Sequence, residues 1–507
     1  MKKRMIILAL ALMLAFCFAY AASEGSRRRL PLISIRTVDP AQGLEFVTEP
    51  VVRFVAECIA TWTPGYVLPD EPYYVDCMVS YTGADGTVSV EDCAAQVKVR
   101  GNWTTSYEKK SLRIKFAEKQ SMGSMNGGRS FKNWVLLAEY KDLSMLRNKA
   151  AFDLARKIMR ADLYCSDCEL VEVEINGEYW GVYLLAEQQE CADGRVNIPE
   201  PKKEELGPDT GYLVEFDGYF YLEDPLKRFT IDYAGFAPLI PFDGTENARA
   251  FTPLSTFPGN RNNVGYTIKS DIRSQEQHDA VKGFISCAYE IMYAAAYRDE
   301  ALEMAAGYGK TVPSEKTPRE AVEAVVDVES LVEAYILSEI ACDPDIYWSS
   351  FYMTVDLSEG GSGKLRFEAP WDFDSAMGNR YVIEDGRGFH AANVVDDVDH
   401  VYRAINPWLT VLFRTDWFRD MVAGRWTELY DSGAFSDTIR MIREDSVTYK
   451  DAFTRNYQRW SNMADKSPLD YELNRQGFAC RNEAESAEQL AHWLERRIDF
   501  LNGVWHR

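Results

Sequence analysis

Two short clusters of aspartates lie in the second half of the chain, each surrounded by aromatic residues. Asp343 and Asp345 lie in CDPDIYWSSFYM, and Asp372 and Asp374 lie in APWDFDSAMGN. Ionised carboxylates lose hydration beside aromatic side chains, so such clusters are costly unless another group compensates their charge. The residue types therefore point to a site that holds a cation or hydrogen-bond donors.

The residues around these aspartates follow one another in an order that can be compared with known sites. Asp345 is followed five positions later by Ser350, then by a strand, a turn and a second strand, and then by Asp372-Phe373-Asp374. Protein kinases place a catalytic Asp and a metal-binding Asn on one loop, then a hairpin, then an Asp-Phe-Gly whose Asp binds Mg²⁺. The reaction needs an acceptor for the hydroxyl proton and hard oxygen ligands for Mg²⁺, and carboxylates supply both.

A basic segment lies far upstream of the aspartates. Residues 98–115 contain one acid, Glu108, in a chain whose net charge is −22. The basic residues of this segment are Lys98, Arg100, Lys109, Lys110, Arg113 and Lys115. They could bind the phosphates of ATP, or they could form a solvated strand face, and the sequence leaves both interpretations open. Arg100-Gly101 before a Lys-rich strand is similar to a phosphate-covering turn, although it is not a Walker A motif.

The elements that must position these residues change in type along the chain. Predicted strands fill the first part: LISIRTV, VVRFVAECIATW, YYVDCMVSYTG, AAQVKVRGNWT, KKSLRIKFA, GYLVEFD and GYTIKSD. Asn176-Gly177 between two apolar runs predicts a hairpin. DLSMLRNKAAFDLARKIM predicts one helix, with Asp142 as a possible cap. From about residue 276 the period is helical, with a capping box at 317–320 and one further hairpin before the second aspartate cluster. This order predicts two lobes with a cleft between them.

The overall composition limits the possible partners. The chain has 507 residues, enough for one large two-lobed unit or for two to three domains. Its 78 acidic residues outnumber its 56 basic residues. A general nucleic-acid binder and a binder of anionic membranes both need a positive surface, so these classes are disfavoured.

The N-terminus has the pattern of a secretory signal peptide. Three basic residues at positions 2–4 precede an apolar run over residues 5–18, and Ala19-Tyr20-Ala21 fits a cleavage site. We predict a signal peptide over residues 1–21 and a polar lead-in over 22–32, with no membrane span after cleavage. An uncleaved anchor is the alternative, although the run is short for a membrane span. The predicted location is secreted or associated with the cell envelope.

Cysteines are numerous for a chain with an export signal. Nine follow the signal peptide, and an odd number leaves at least one free or intermolecular. Cys165 and Cys168 have the spacing of a redox or zinc-binding pair, but no second such pair and no nearby His completes a zinc set. A structural disulfide or simple burial is favoured for them.

Six ordered stretches resemble the CotH-type kinases, an atypical protein kinase family named for a spore-coat protein. They are VRGNWTTSYEKKSLRIKF, WVLLAEYKDLSMLRNKAAFDLARKI, VEVEINGEYWGVYLLAEQ, GYLVEFD, DPDIYWSSFYM and PWDFDSAMGN. The resemblance implies an α+β, kinase-like two-lobed fold with a β-rich N-terminal lobe and a mainly helical C-terminal lobe. It also implies ATP with Mg²⁺ or Mn²⁺, and phosphorylation of Ser or Thr in a protein substrate such as a coat or envelope protein.

The resemblance assigns acidic and metal-binding roles to particular residues. Asp345 would be the catalytic or substrate-orienting residue, Asp372 would bind the metal, and Asp374 would assist. Ser350 stands where many relatives carry a metal-binding Asn, and its neutral hydroxyl is a weaker ligand.

The resemblance also assigns residues to the nucleotide. Lys110 would contact the ATP phosphates, with Arg100 and Arg113 as weaker candidates. Glu187 would lie near the adenine, at the hinge between the lobes.

The expected domain organisation follows from the same resemblance. Residues 33–95 form an N-terminal β-rich segment, and residues 96–507 form the kinase-like domain, with one lobe ending near 190 and the other starting near 208.

A non-catalytic secreted or surface binding module on the same scaffold, a pseudokinase or an adhesin-like protein, is the alternative function. A glycosidase that uses two aspartates is a weaker one, since it needs no basic strand.

Overall fold

The computed structural model describes residues 30–39, 43–48, 73–101, 103–245, 248–251, 264–380, 383–396 and 403–507. The predicted signal peptide, most of the polar lead-in, the predicted strand VVRFVAECIATW and Cys58 lie outside these residues.

Seven strands of the N-terminal part form a closed barrel. They are β1 (Leu32–Thr37), β2 (Val75–Thr82), β3 (Val88–Val99), β4 (Leu112–Gln120), β5 (Phe131–Leu137), β6 (Cys168–Ile175) and β7 (Glu178–Glu187). Their order around the barrel is β1-β2-β3-β4-β5-β7-β6, and β1 closes it by pairing in parallel with β6. Closure leaves no open edge in this sheet.

The alternating pattern of β4 is confirmed. Leu112, Ile114 and Phe116 are buried in one core cluster with Trp134 of β5. Because successive side chains of a strand point to opposite faces, Arg113 lies on the other face of the barrel wall. The hairpin predicted at Asn176-Gly177 is also confirmed, since these residues join β6 to β7.

The remaining strands are short and follow the barrel. They are β8 (Gly211–Asp217), β9 (Arg228–Phe229), β10 (Gly265–Ile268), β11 (Leu302–Met304), β12 (Thr311–Pro313), β13 (Phe351–Asp356), β14 (Arg366–Phe367), β15 (Val395–Asp396) and β16 (Arg403–Ala404). Five of them form a second sheet in the order β14-β13-β8-β10-β9. The predicted hairpin β13–β14 is therefore part of a larger sheet, because β13 also pairs with β8 along its whole length.

The helices lie mainly in the second half of the chain. They are α1 (Glu45–Thr48), α2 (Arg147–Ile158), α3 (Gln275–Tyr297), α4 (Pro318–Val325), α5 (Val328–Ala341), α6 (Pro407–Val411), α7 (Asp416–Asp431), α8 (Ala434–Thr448), α9 (Lys450–Arg459), α10 (Arg475–Ala479) and α11 (Glu483–Trp505). The predicted capping box is confirmed at the start of α4, where Thr317 and Glu320 bond to each other's backbone N–H groups. Among the described helices, none is long and apolar enough to cross a membrane. The chain thus combines sheets and helices, as an α+β fold requires.

Helix α2 begins at Arg147, later than the sequence pattern predicts. The side chain of Asp142 nevertheless binds its first turn, because Oδ2 accepts hydrogen bonds from the backbone N–H groups of Leu146 at 2.9 Å and Arg147 at 2.7 Å.

The cysteines within the described ranges are all free, so Cys165 and Cys168 are not bonded to each other.

Candidate functional site

The first aspartate cluster lies where helix α5 ends. The helix closes at Ala341, and Cys342 takes a left-handed backbone conformation (φ 47°) that turns the chain. Asp343 is buried, and its Oδ1 accepts a hydrogen bond from the backbone N–H of Asp345 at 3.1 Å. The backbone oxygen of Asp345 in turn accepts from the N–H of Trp348 at 2.7 Å. A tight turn therefore holds both aspartates.

Backbone contacts fix the second cluster beside the first. Asp372 has a left-handed conformation (φ 68°), and the next backbone N–H, that of Phe373, donates to Asn148 Oδ1 at 2.8 Å. The N–H of Met377 donates to the backbone oxygen of Ala341, the last residue of α5, at 2.7 Å. The structure thus brings together the two clusters that the sequence singled out.

The four aspartates act on one another electrostatically. Burial raises the pKa of Asp343, and the charge of Asp345 raises it further. Burial also raises the pKa of Asp345 and of Asp372, an effect that the charge of Lys141 opposes in both. Burial raises the pKa of Asp374 to about 6, again against Lys141. Like charges that converge in a buried place favour protonation of at least one carboxyl, so the site favours a bound cation.

Lys141 is a buried cation that lies among these carboxylates. Its Nζ lies 2.8 Å from Asp374 Oδ1 and 3.8 Å from Glu472 Oε2, and it donates to Ser375 Oγ at 2.7 Å. The Lys141 side chain is 8% exposed. The backbone oxygen of Lys141 accepts from Asn379 Nδ2 at 2.9 Å, which also fixes the segment after the second cluster. Lys141 therefore joins the chain that follows barrel strand β5 to the aspartates.

Lys110 has different surroundings. It is buried, and its Nζ donates to the backbone oxygen of Tyr107 at 2.5 Å. Burial lowers its pKa, and the carboxylate that opposes this shift is Glu108, outside both aspartate clusters. Neighbouring Lys109 is also buried and donates to Ala138 O at 2.7 Å. The structure does not bring Lys110 together with the aspartates, whereas it does so with Lys141.

Arg100 lies beside the second cluster. Its guanidinium carbon is 5.5 Å from the centre of the Trp371 ring. Burial lowers the pKa of Arg100, and the negative charge of Asp372 is the largest influence against that shift. Arg113 is also close enough to influence Arg100, and its Nη2 donates to Asn133 Oδ1 at 3.1 Å. The end of β3 and the neighbouring face of β4 therefore add positive charge at the edge of the acidic site.

Ser350 and strand β8 form another side of the site. Ser350 has a left-handed conformation (φ 60°), and its backbone N–H donates to Glu215 Oε1 at 2.9 Å. The other oxygen, Oε2, lies 2.7 Å from the Nζ of Lys269, just after strand β10. The charge of Glu215 also raises the pKa of Asp372, although burial contributes more. Glu215 thus links the Ser350 turn to the acidic site.

Glu187 ends strand β7 with both carboxylate oxygens occupied. Oε1 accepts from Asn126 Nδ2 at 2.6 Å and from Arg195 Nε at 3.1 Å, and Oε2 accepts from the backbone N–H of Asp167 at 3.1 Å. Both Glu187 and Arg195 are buried. Glu187 therefore links the segment after β7 to the chain that precedes β5 and to the chain that precedes β6.

Several residues of the site were missed in the sequence. They are Lys141, Asn148, Glu215, Lys269 and Glu472. Lys141 follows the stretch WVLLAEY, and a lysine shortly after the end of a buried strand is the available signal. Glu215 lies within GYLVEFD, where an acid interrupts a buried strand. Both signals are weak alone, because the roles of Lys141 and Glu215 depend on contacts with residues far away in sequence.

A divalent cation can be tested against the chemistry of the available donors. In the part of the chain that the structure describes, no group of three or more His, Cys, Asp or Glu residues forms a site that could hold a metal ion. The donors themselves, the carboxylate oxygens of Asp345, Asp372 and Asp374, are of the hard type that Mg²⁺ and Mn²⁺ prefer. Their chemistry therefore fits such a cation, while Lys141 neutralises Asp374 in the arrangement described.

Comparison with known proteins yields one family. The sequence model of the family described as "CotH kinase protein" matches residues 97–501, most of the chain. No curated protein matches this sequence. The family match includes both aspartate clusters, the Lys141 segment and the segments that carry Arg100 and Glu215.

Proposed function

The chain belongs to the CotH kinase family, and from this membership we propose that it is an exported protein kinase that transfers the γ-phosphoryl group of ATP to Ser or Thr. The observation that carries the proposal is the convergence of Asp343, Asp345, Asp372 and Asp374 around one buried lysine, Lys141. Phosphoryl transfer depends on positioning and on compensation of charge, which such a site can supply.

Asp345 is the residue we propose to receive the proton of the substrate hydroxyl. It lies on the turn after α5, and burial raises its pKa, which makes it a stronger base than an exposed aspartate. A general base must hold its position, and the hydrogen bond from the N–H of Asp345 to Asp343 Oδ1 contributes to this. Asp343 therefore has a positioning role, because it helps to hold Asp345 in place.

Asp372 and Asp374 are the residues we propose to hold Mg²⁺ or Mn²⁺, with Ser350 as a weaker oxygen donor. When bound, such a cation neutralises the charge of the ATP phosphates and of the transferring group. Asn148 contributes by holding the backbone N–H of Phe373, between the two aspartates.

Arg100 and Lys141 are the cations we propose for the phosphates, with Arg113 further along the strand face. Lys141 lies within the acidic site, whereas Lys110 is bonded to Tyr107 O, so Lys141 takes precedence over Lys110 in this proposal. The Glu187 contact with adenine stays a prediction.

The two-lobed arrangement and the location of the protein are parts of the same proposal. The barrel, ending near residue 190, would form one lobe, and the residues from about 208 onwards would form the other. The predicted signal peptide supports export, and a protein of the coat or cell envelope is the proposed substrate.

One observation favours the non-catalytic alternative. Lys141 pairs with Asp374, one of the two carboxylates proposed to hold the metal. A scaffold that retains the fold but binds a partner would also have this feature.

Phosphoryl transfer from γ-labelled ATP separates the two functions. The purified protein is incubated with labelled ATP and Mg²⁺ or Mn²⁺ and tested for autophosphorylation, with Asp345→Asn and a chelated sample as controls. If the protein is a kinase, we expect label in the wild-type protein with metal, and none in Asp345→Asn or in the chelated sample. ATP should also raise the melting temperature only when the metal is present. Absence of both transfer and a metal-dependent shift would favour the binding module.

A further inference from the structure

A buried cluster next to the turn that carries Asp345 is not used by the proposed reaction. Its centre is Glu339, in the last turn of α5, and it includes His390 and Arg497 of α11. All three residues are nearly inaccessible to solvent, with exposed fractions of 1%, 1% and 0%. We call these three residues the Glu339 cluster.

Two parts of the chain, helix α11 and the loop that carries His390, donate hydrogen bonds to the carboxylate of Glu339. Oε1 accepts from the backbone N–H of His390 at 2.8 Å and from Arg497 Nη2 at 2.5 Å. Oε2 accepts from the backbone N–H of Ala391 at 2.8 Å. Arg497 Nε also donates to the backbone oxygen of Glu339 at 2.9 Å. Helix α11 and the loop that carries His390 are thereby fixed to the end of α5.

His390 extends this cluster to the turn after α5. Its Nε2 lies 2.7 Å from the backbone oxygen of Asp343, two residues before Asp345. A carbonyl oxygen can only accept, so Nε2 carries the proton in this contact. Burial lowers the pKa of His390, which favours the neutral ring. The ring therefore acts as a fixed donor to the turn that carries Asp345.

We propose that His390, held by Glu339 and Arg497, is a positioning residue that sets the orientation of Asp345 for phosphoryl transfer. The inference rests on the proposed function. The turn needs such support because Cys342 is in a left-handed conformation, which a non-glycine residue adopts at a cost. A contact made at Asp343 O restrains the peptide units that lead to Asp345.

Substitutions of His390 that keep or remove the donor test the inference. The side-chain amide of His390→Gln can place an N–H near the position of Nε2, whereas His390→Leu removes the donor at similar volume. We expect His390→Leu to lower kcat by about 10- to 100-fold with the KM for ATP unchanged, since small misplacements of catalytic groups reach this range. His390→Gln should recover most of the loss.

His278 offers a matched control. It is also buried, and its Nε2 lies 3.0 Å from a backbone oxygen, that of Arg228. Its Nδ1 lies 2.9 Å from Asp279 Oδ1, a residue outside both aspartate clusters. His278→Leu should leave kcat unchanged once the protein is folded. If His390→Leu fails to fold, His390→Asn replaces it, because its shorter amide does not reach the position of Nε2. Equal kcat values for His390→Asn, His390→Gln and the wild type would overturn the inference.

Backbone hydrogen exchange tests the positioning role of His390 independently of the proposed function. If the wild type transfers no phosphoryl group, the kinase proposal fails, and backbone exchange in residues 342–349 still reports whether His390 holds the turn. Faster exchange there in His390→Leu, with recovery in His390→Gln and no change in His278→Leu, supports the positioning role. Unchanged exchange in His390→Leu contradicts it.

Discussion

Lys141 and Asp374 form a buried ion pair, with 2.8 Å between Nζ and Oδ1, that joins the segment after barrel strand β5 to the second aspartate cluster. Glu472 lies near the same ammonium group, with Oε2 3.8 Å from Nζ. A lysine shared by two carboxylates in a buried place compensates charge that would otherwise be costly. The pair therefore determines both the stability of the site and the charge available to a ligand.

Replacement of Lys141 should separate its role from that of Lys110. Lys141→Met leaves Asp374 without its cation, so we expect the free energy of unfolding to fall by about 3–5 kcal/mol, as for other buried pairs that lose one partner. Phosphoryl transfer should be lost as well. Lys110→Met is the matched control and should retain transfer, because Lys110 contacts Tyr107 O and not the aspartates. Urea denaturation and labelled ATP measure the two effects.

The reverse result would support the role predicted for Lys110 from the family resemblance. If Lys110→Met loses transfer while Lys141→Met keeps it at a temperature where both are folded, Lys110 is the residue that contacts the phosphates.

Asp372 and Asp374 should respond differently to removal. Burial and repulsion from Asp345 and Glu215 raise the pKa of Asp372, so Asp372→Ala should leave the metal-free protein as stable or more stable. Asp374→Ala should destabilise it, since Lys141 loses its nearest carboxylate. Both should abolish transfer. Thermal melts in the presence of a chelator test the difference, and a large drop for Asp372→Ala would instead indicate a structural role for this residue.

Much of the fold could be predicted from local sequence. Alternation in Leu112, Ile114 and Phe116 identified strand β4, and Asn176-Gly177 identified the hairpin between β6 and β7. These predictions succeeded because the period of a strand and the backbone preferences of a turn are local properties. The closure of the barrel by parallel pairing of β1 with β6 could not be predicted in this way, since it depends on partners far apart in sequence.

The cations of the site also depend on contacts between residues far apart in sequence, which local sequence does not predict. The basic segment and the family resemblance favour Lys110, but the ammonium group of Lys110 donates to the backbone oxygen of Tyr107, three residues away. Composition does not indicate in which direction a side chain points just before a strand. Lys141 has no basic neighbour in WVLLAEYKDLSM, and its importance follows from contact with Asp374, which only the tertiary structure provides. The aspartates were easier to identify, because acids surrounded by aromatic residues are visible in the sequence.

Ser350 should tolerate replacement by Asn. Its left-handed conformation (φ 60°) is one that Asn adopts more readily than Ser, so Ser350→Asn should keep or raise stability. If Ser350 also supplies a weak metal ligand, Ser350→Asn should keep or raise transfer, and Ser350→Ala should lower the affinity for Mn²⁺. Titration of Mn²⁺ against transfer rate measures this effect. Identical titrations for wild type and both variants would make Ser350 a turn residue only.

Glu139 should make the stability of the protein depend on pH. It is buried, its Oε1 accepts from Asn148 Nδ2 at 2.9 Å, and its Oε2 is without a hydrogen-bond partner among the described residues. Burial raises its pKa to about 8 from 4.5. A carboxyl whose pKa is raised by folding stabilises the folded state fully below its unfolded pKa, and this contribution is lost as the pH rises through the folded value.

Glu139→Gln removes that titration while keeping the oxygen that accepts from Asn148. The variant should therefore gain stability relative to the wild type as the pH rises from about 4.5 to about 8, and the difference should become constant above that range. Urea midpoints at several pH values measure it, with the exposed residue Glu204 as a control whose Gln variant should show no such trend. A difference that stays constant across this whole range would mean that Glu139 is ionised in the folded protein. Its negative charge would then need a cation nearby, for which Lys109 is the candidate, because its charge opposes the rise of the same pKa.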